Sequence, residues 1–193
     1  MAVSAPSFEL AAFRQLIATP TLPDLGPGPR ADVEHLDALN RKLDSFLATI
    51  HRSLATRELL RCAALLWHDH HEAAHEIAQH NSTAEGSFLH GILHRREPDY
   101  SNAKYWFQRV GKHACFKTIA EEVAGLIANQ PDCEPESELL PRGTWDPFAF
   151  IDACEAAALL PLSNPQRKLL QEIQAVEFDA LVAHLSRAPR NQD

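Results

Sequence analysis

Apolar residues recur at spacings of three and four along most of this chain, which is the period of an α-helix. The longest run predicts one amphipathic helix, with Asp32 ahead of it as an N-terminal cap. Its apolar stripe comprises Leu36, Leu39, Leu43, Phe46, Leu47, Ile50 and Leu54. Similar patterns follow to the end of the chain, and none indicates a strand. The sequence therefore predicts an all-α protein.

Proline and glycine divide this helical pattern into segments, because proline fixes φ and removes a donor while glycine loosens the backbone. A chain of 193 residues suits one domain. We expect an N-terminal helix and a Pro/Gly loop over 1–31, and helical hairpins over 32–128. A surface connection is expected over 129–145, and two C-terminal helices over 146–187.

The predicted helix ends rest on individual residues. Ser101 is expected to cap one central helix, and Gly111 to close it. Asp146 followed by Pro147 predicts the start of the first C-terminal helix, because proline is favoured in the first turn.

Composition limits the classes of partner. The net charge is -8, and lysine and arginine are scattered, so the sequence lacks the basic surface that nucleic acid requires. No apolar run approaches the ~18 residues of a membrane span, and the N-terminus does not match a signal peptide. The four cysteines of the chain form no C-x-x-C pair. We expect a cytoplasmic protein that binds neither nucleic acid nor membrane, with buried thiols.

The central segment has the residue spacing of a tetratricopeptide repeat. Gly91, Ala103, Phe107 and Val110 follow its small-small-aromatic-small register, which predicts that Gly91 meets Ala103 while Phe107 fills the gap beside them. The string "WHDH…EGS…HGILHRREPDYSNAKYWFQRVG", with "WDPFAF" further on, resembles an uncharacterised family of all-helical, tetratricopeptide-like proteins. This resemblance implies the fold and no reaction.

Histidines are concentrated in the same region, where "LLWHDHHEAAHEIAQH" is followed by "HGILHRRE". Histidines four residues apart share one face of a helix, and two antiparallel helices could bring two such faces together. A single buried histidine is more often a hydrogen-bonded core residue than a ligand. Several imidazoles close together repel one another when protonated, so a cluster favours a functional site. We expect one cluster that could hold zinc, nickel or iron. Its members would come from His68, His70, His71, His75, His90 and His94.

"HEAAH" at 71–75 matches the H-E-x-x-H pattern, in which two histidines hold zinc and Glu72 acts as the base. The metzincin form of this pattern has a third histidine six residues later, where this chain has Asn81. A metal-dependent enzyme of the hydrolase type is therefore the alternative function.

The primary interpretation is a binding protein, since stacked helical hairpins most often present a concave surface to a ligand. Arginine binds carboxylate and phosphate groups bidentately, so we expect a small anionic ligand or a partner segment. The residues expected at the mouth of this pocket are Arg95, Arg96, Tyr100, Asn102 and Tyr105. No phosphate-binding glycine loop is present, which disfavours a nucleotide.

Overall fold

The computed structural model describes residues 8–129 and 139–187. In those ranges the chain forms helices and one 3₁₀ turn, and no strand, which confirms the all-α prediction. The helices are α1 (Phe8–Ile17), α2 (Leu36–Thr49), α3 (Leu54–Trp67), α4 (His71–Ala78), α5 (Ala84–Arg96), α6 (Tyr100–Val110), α7 (Cys115–Ala128), α8 (Pro147–Ala157) and α9 (Pro165–Arg187).

The helix predicted over 36–54 ends earlier, at Thr49, and Leu54 is the first residue of the next helix. Ser53 caps α3 by accepting a hydrogen bond from the amide of Thr56. The prediction that Asp32 caps α2 is wrong. Its carboxylate instead accepts from the backbone and the hydroxyl of Thr21, each at 2.8 Å.

Of two other predicted helix caps, one is confirmed and one is wrong. Asp146 caps α8 through the amides of Phe148 and Ala149, and Pro147 occupies the first turn, as predicted. Asp99, and not Ser101, caps α6, because the Asp99 carboxylate accepts from the amide of Asn102.

The helix α6 ends at Gly111, the residue expected to close it. Its φ of +62° lies in the region that favours glycine. The backbone can therefore turn there without side-chain strain.

Close approach between α5 and α6 centres on Gly91. A Cβ atom at this position would lie 2.6 Å from two ring carbons of Phe107, and Ala103 is completely buried. The contact that requires glycine is therefore with the aromatic ring. Whether the helices stack in a tetratricopeptide-like manner stays a prediction.

The helix α9 connects distant parts of the chain. Asp179 pairs with Arg14 of α1, with 2.6 Å between the Arg14 Nε and a carboxylate oxygen. Arg167 donates to both carboxylate oxygens of Asp24, at 2.9 and 3.0 Å, and to the carbonyls of Ala158 and Leu160 beyond the last turn of α8. The N-terminal part is thereby fixed to the C-terminal helix.

The predicted surface connection over 129–145 lies partly outside the described residues. In its described part, Leu139, Leu140 and Trp145 are buried in the core, whereas residues 141–144 between them are exposed. Cys62, Cys115 and Cys154 are buried free thiols as expected, and Cys133 lies outside the described residues. Across 8–129 and 139–187, the helices all fall short of the length and apolar content that a bilayer crossing requires.

Candidate metal centre

His68 and His70 lie in the turn between α3 and α4, where both form hydrogen bonds. The Nδ1 atom of His68 accepts a hydrogen bond from the amide of Glu34 at 3.1 Å, and the Nε2 atom of His70 lies 2.8 Å from the carbonyl of the same residue. These two histidines bind the turn to the backbone just ahead of α2. The structure does not bring them into a histidine cluster.

Asp69, between them, anchors the same loop. It adopts a φ of +61°, a region that aspartate tolerates better than most residues. Its buried carboxylate accepts from Arg96 at 2.6 Å and from the backbone amide and Nε of Arg30 at 2.8 and 3.0 Å. A Cβ at Gly28 would lie 2.7 Å from this carboxylate, so the loop approaches it closely only with glycine there.

The arginines expected at the mouth of a pocket lie in the interior, which corrects that expectation. Arg96 donates to Asp69 and, at 2.6 Å, to the carbonyl of Leu66, near the end of α3. Arg95 pairs with Glu177 at 2.6 Å, and both side chains are fully buried. The guanidinium of Arg95 also lies 4.4 Å from the ring centroid of Phe150. Both arginines are paired with carboxylates of the same chain. These carboxylates come from distant segments, so local sequence spacing did not indicate the pairing.

The H-E-x-x-H segment does not assemble as a zincin site. His71 and Glu72 border an open pocket with Leu36, Asp69 and Glu76. Burial, followed by the nearby charge of Arg96, lowers the pKa of His71 to about 4. No group of three possible metal ligands in the described ranges includes His71 or Glu72.

His75 of α4 and two histidines of α5, His90 and His94, do come together. One ligand atom from each lies within 4.8 Å of the others. The rings of His90 and His94 stack with centroids 4.8 Å apart, and His75 meets both edge-on. Trp106 stacks on the outer face of His90 with centroids 3.8 Å apart. Three of the six predicted ligands therefore form one cluster.

These histidines are suited to metal binding, because an imidazole must be neutral to ligate. Burial is the main cause that lowers the pKa of His90, to about 4, with the charges of His94 and His75 adding to it. Burial and the charge of His75 likewise lower the pKa of His94. The buried Nδ1 atom of His90 has no hydrogen-bond partner among the described residues.

Polar groups at the C-terminal end of α5 surround His94. Its Nδ1 atom lies 3.4 Å from a carboxylate oxygen of Glu97 and 3.9 Å from one of Asp99. The side-chain nitrogen of Asn102 lies 3.2 Å from its Nε2 atom. Asn102 thus lies beside His94, and its role in binding a ligand stays a prediction.

The two tyrosines expected at the mouth lie elsewhere or at its edge. Tyr100 is half-buried, and its pKa is raised by burial and by the charges of Cys154 and Glu155, so it faces α8. Tyr105 is exposed and contacts Trp106 edge-on, with ring centroids 5.3 Å apart.

The three-histidine cluster fits a small metal ion after modest closure. Nitrogens about 2.0–2.1 Å from one tetrahedral zinc ion are about 3.3 Å apart. The 4.8 Å limit on the present separations therefore requires inward movement of at most about 1.5 Å. Side-chain rotation supplies movement of that size, and His75, the least buried of the three, is free to make it.

A second group of ligating side chains was missed by the sequence analysis. Glu85, His113 and His184 also place one ligand atom each within 4.8 Å of one another. These residues lie 28 and 71 positions apart, so no local spacing could have indicated that they meet.

Comparisons with protein-family models, with curated proteins and with solved structures found no match to this chain.

Proposed function

We propose that this protein binds a divalent first-row transition metal ion through His75, His90 and His94. The proposal is carried by three imidazoles that place one ligand atom each within 4.8 Å of the others, together with a buried Nδ1 atom of His90 that has no hydrogen-bond partner among the described residues. Leaving a buried nitrogen unpaired costs about 1–3 kcal/mol, and a metal ion would remove that cost. Imidazole suits zinc, nickel, copper and iron.

The charges around the cluster favour a cation over the anionic ligand expected from the sequence. Glu97 and Asp99 flank His94 with two carboxylates, whereas Arg95 and Arg96 are buried among their own partners.

Thermal melts with added zinc or with chelator test this proposal. Zinc at 100 times its dissociation constant should stabilise the native wild type by about 2.7 kcal/mol. The double variant His90→Ala, His94→Ala should lose the part of this increase that comes from the three-histidine cluster. His51→Ala is the matched control, because His51 is exposed between α2 and α3. An equal response to zinc in wild type and double variant would exclude the site.

Three further measurements keep the test valid if the double variant folds poorly. His75→Ala alters only the least buried ligand and should also reduce the response to zinc relative to wild type. Because Trp106 stacks on His90, zinc should change its fluorescence in wild type and not in His75→Ala. Elemental analysis of protein purified without a histidine tag should find bound metal.

A metal-dependent hydrolase is the second candidate. Three protein ligands leave a coordination position open, as in catalytic zinc sites, and Glu97 is placed beside His94 to accept a proton. Glu97 would replace Glu72 in this role. Zinc-dependent hydrolysis of 4-nitrophenyl acetate, lost in Glu97→Gln and retained in Glu72→Gln, would support it, and no activity above free zinc would contradict it.

The binding-protein interpretation adds two proposals, one about how the helices stack and one about a partner segment. We propose that the region from α3 to α6 forms tetratricopeptide-like hairpins, supported by the approach of Gly91 to Phe107. Exposed Tyr105 and the ring of Trp106 would then contribute to the surface that contacts a partner. A cytoplasmic location remains our expectation.

A further inference from the structure

Three possible ligands from separate parts of the chain meet beside the start of α5. Glu85 lies in the first turn of α5, His113 in the connection between α6 and α7, and His184 near the end of α9. An Oε1 atom of Glu85 lies 3.2 Å from the Nε2 atom of His184 and 3.8 Å from that of His113. The two imidazole rings have centroids 4.9 Å apart.

We propose that Glu85, His113 and His184 form a second site for a divalent first-row transition metal ion. Two imidazoles and one carboxylate are a common ligand set for zinc and for non-haem iron. The oxygen–nitrogen separations of 3.2 and 3.8 Å are close to the roughly 3.3 Å between ligands of one tetrahedral zinc ion. These two separations therefore need closure of about 0.5 Å at most, and the ligand atoms of His113 and His184 lie within 4.8 Å of each other.

The ionisation states also suit a metal ion. Although burial opposes the charge of Glu85, hydrogen bonds from its own backbone, His184 and Thr83 hold its pKa below the usual value. Burial, with the charge of His184, lowers the pKa of His113. The carboxylate is therefore ionised and His113 neutral at pH 7, as metal ligation requires.

One hydrogen bond must change when a metal ion binds. The Nδ1 atom of His113 accepts from the backbone amide of Cys115 at 3.2 Å, which places the proton of the neutral ring on Nε2. Ligation through Nε2 requires the proton on Nδ1, so the Cys115 amide must lose this acceptor. That amide belongs to the first residue of α7, where backbone donors have no partner within the helix, so water can take the place of the lost acceptor.

Zinc titration by calorimetry in the His90→Ala, His94→Ala background isolates this second site. We expect one equivalent of zinc to bind there, and the further change Glu85→Gln to weaken binding more than about 100-fold, since even outer partners of metal ligands contribute 10- to 100-fold. If Glu85→Gln does not fold in chelator, His184→Gln takes its place, because His184 is partly exposed. Zinc binding unchanged by loss of Glu85 or His184, or no binding in this background, would overturn the proposal.

Two signals separate this site from the three-histidine cluster. The amide resonance of Cys115 should shift on zinc binding in the background variant, while Trp106 fluorescence should not change. Retained zinc binding with an unshifted Cys115 amide would contradict ligation through His113. A Cys115 shift in protein that shows no Trp106 response would support this site even if the first proposal failed.

Discussion

At the residue scale, some single side chains have two structural roles. Asp69 combines a left-handed backbone with a carboxylate that binds Arg30 and Arg96. His90 lies between Trp106 and His94 in an aromatic stack. In both cases one residue meets a conformational and a chemical requirement at once.

Gly91→Ala should destabilise the protein by about 1–3 kcal/mol, because a methyl group would lie 2.6 Å from the Phe107 ring and force the helices apart. The matched control is Gly125→Ala in α7, where nothing lies within 4 Å of the added methyl group. That change should stabilise by about 0.5–1 kcal/mol, the intrinsic difference between the two residues in a helix. Urea unfolding measures both. Equal effects would show that Gly91 is not required for close packing.

At the element scale, buried ion pairs fix the relative positions of helices that apolar packing alone would leave adjustable. Arg95 of α5 and Glu177 of α9 pair against the Phe150 ring of α8. Arg96, the next residue, binds the α3–α4 turn through Asp69. Consecutive arginines thus point from α5 to different neighbours, and each has a carboxylate from a distant segment.

Glu177→Gln should lower the free energy of unfolding by about 3–5 kcal/mol, because it leaves the guanidinium of Arg95 buried without its counter-charge. The double variant Arg95→Met, Glu177→Leu removes both charges and should be more stable than the single variant. Chemical denaturation of the three proteins provides the comparison. A double variant less stable than Glu177→Gln would mean that the pair contributes net stability beyond the cost of burial.

At the scale of the whole molecule, buried neutral histidines make stability depend on pH. The folded pKa of His71 is lowered to about 4, whereas an unfolded histidine titrates near 6.5. The unfolded state therefore binds more protons between these values. The contribution of neutral His71 to the free energy of unfolding is complete above pH 6.5 and is lost as the pH falls towards 4.

His71→Gln should flatten this dependence. Between pH 6.5 and 4, the slope of unfolding free energy against pH should fall by up to about 1.4 kcal/mol per pH unit relative to wild type. His51→Gln, which changes an exposed histidine, should leave the slope as it is. Denaturation at several pH values in chelator checks this without interference from metal. Parallel curves for wild type and His71→Gln would show that His71 titrates alike in both states.

The helices and the three members of the histidine cluster could be predicted because their signals are local, although three other histidines were predicted with them. Apolar periodicity identified the helical segments, and histidines four residues apart identified the face that His90 and His94 share. The arginines could not be placed, because Asp69 and Glu177 lie 27 and 82 residues away from their partners. His68 and His70 were predicted as metal ligands because the sequence does not show their actual partner. In the structure both bind the backbone of Glu34.

The pairing of α1 and its following loop with α9 has a consequence for biosynthesis. Arg14 and Asp179 are 165 residues apart, and Asp24 and Arg167 are 143 apart. At about 5–20 residues per second, a ribosome needs roughly 7–30 seconds to make the chain between Asp24 and its partner. During that interval the apolar face of α1 lacks α9, so the nascent chain exposes it to chaperones and to other nascent chains.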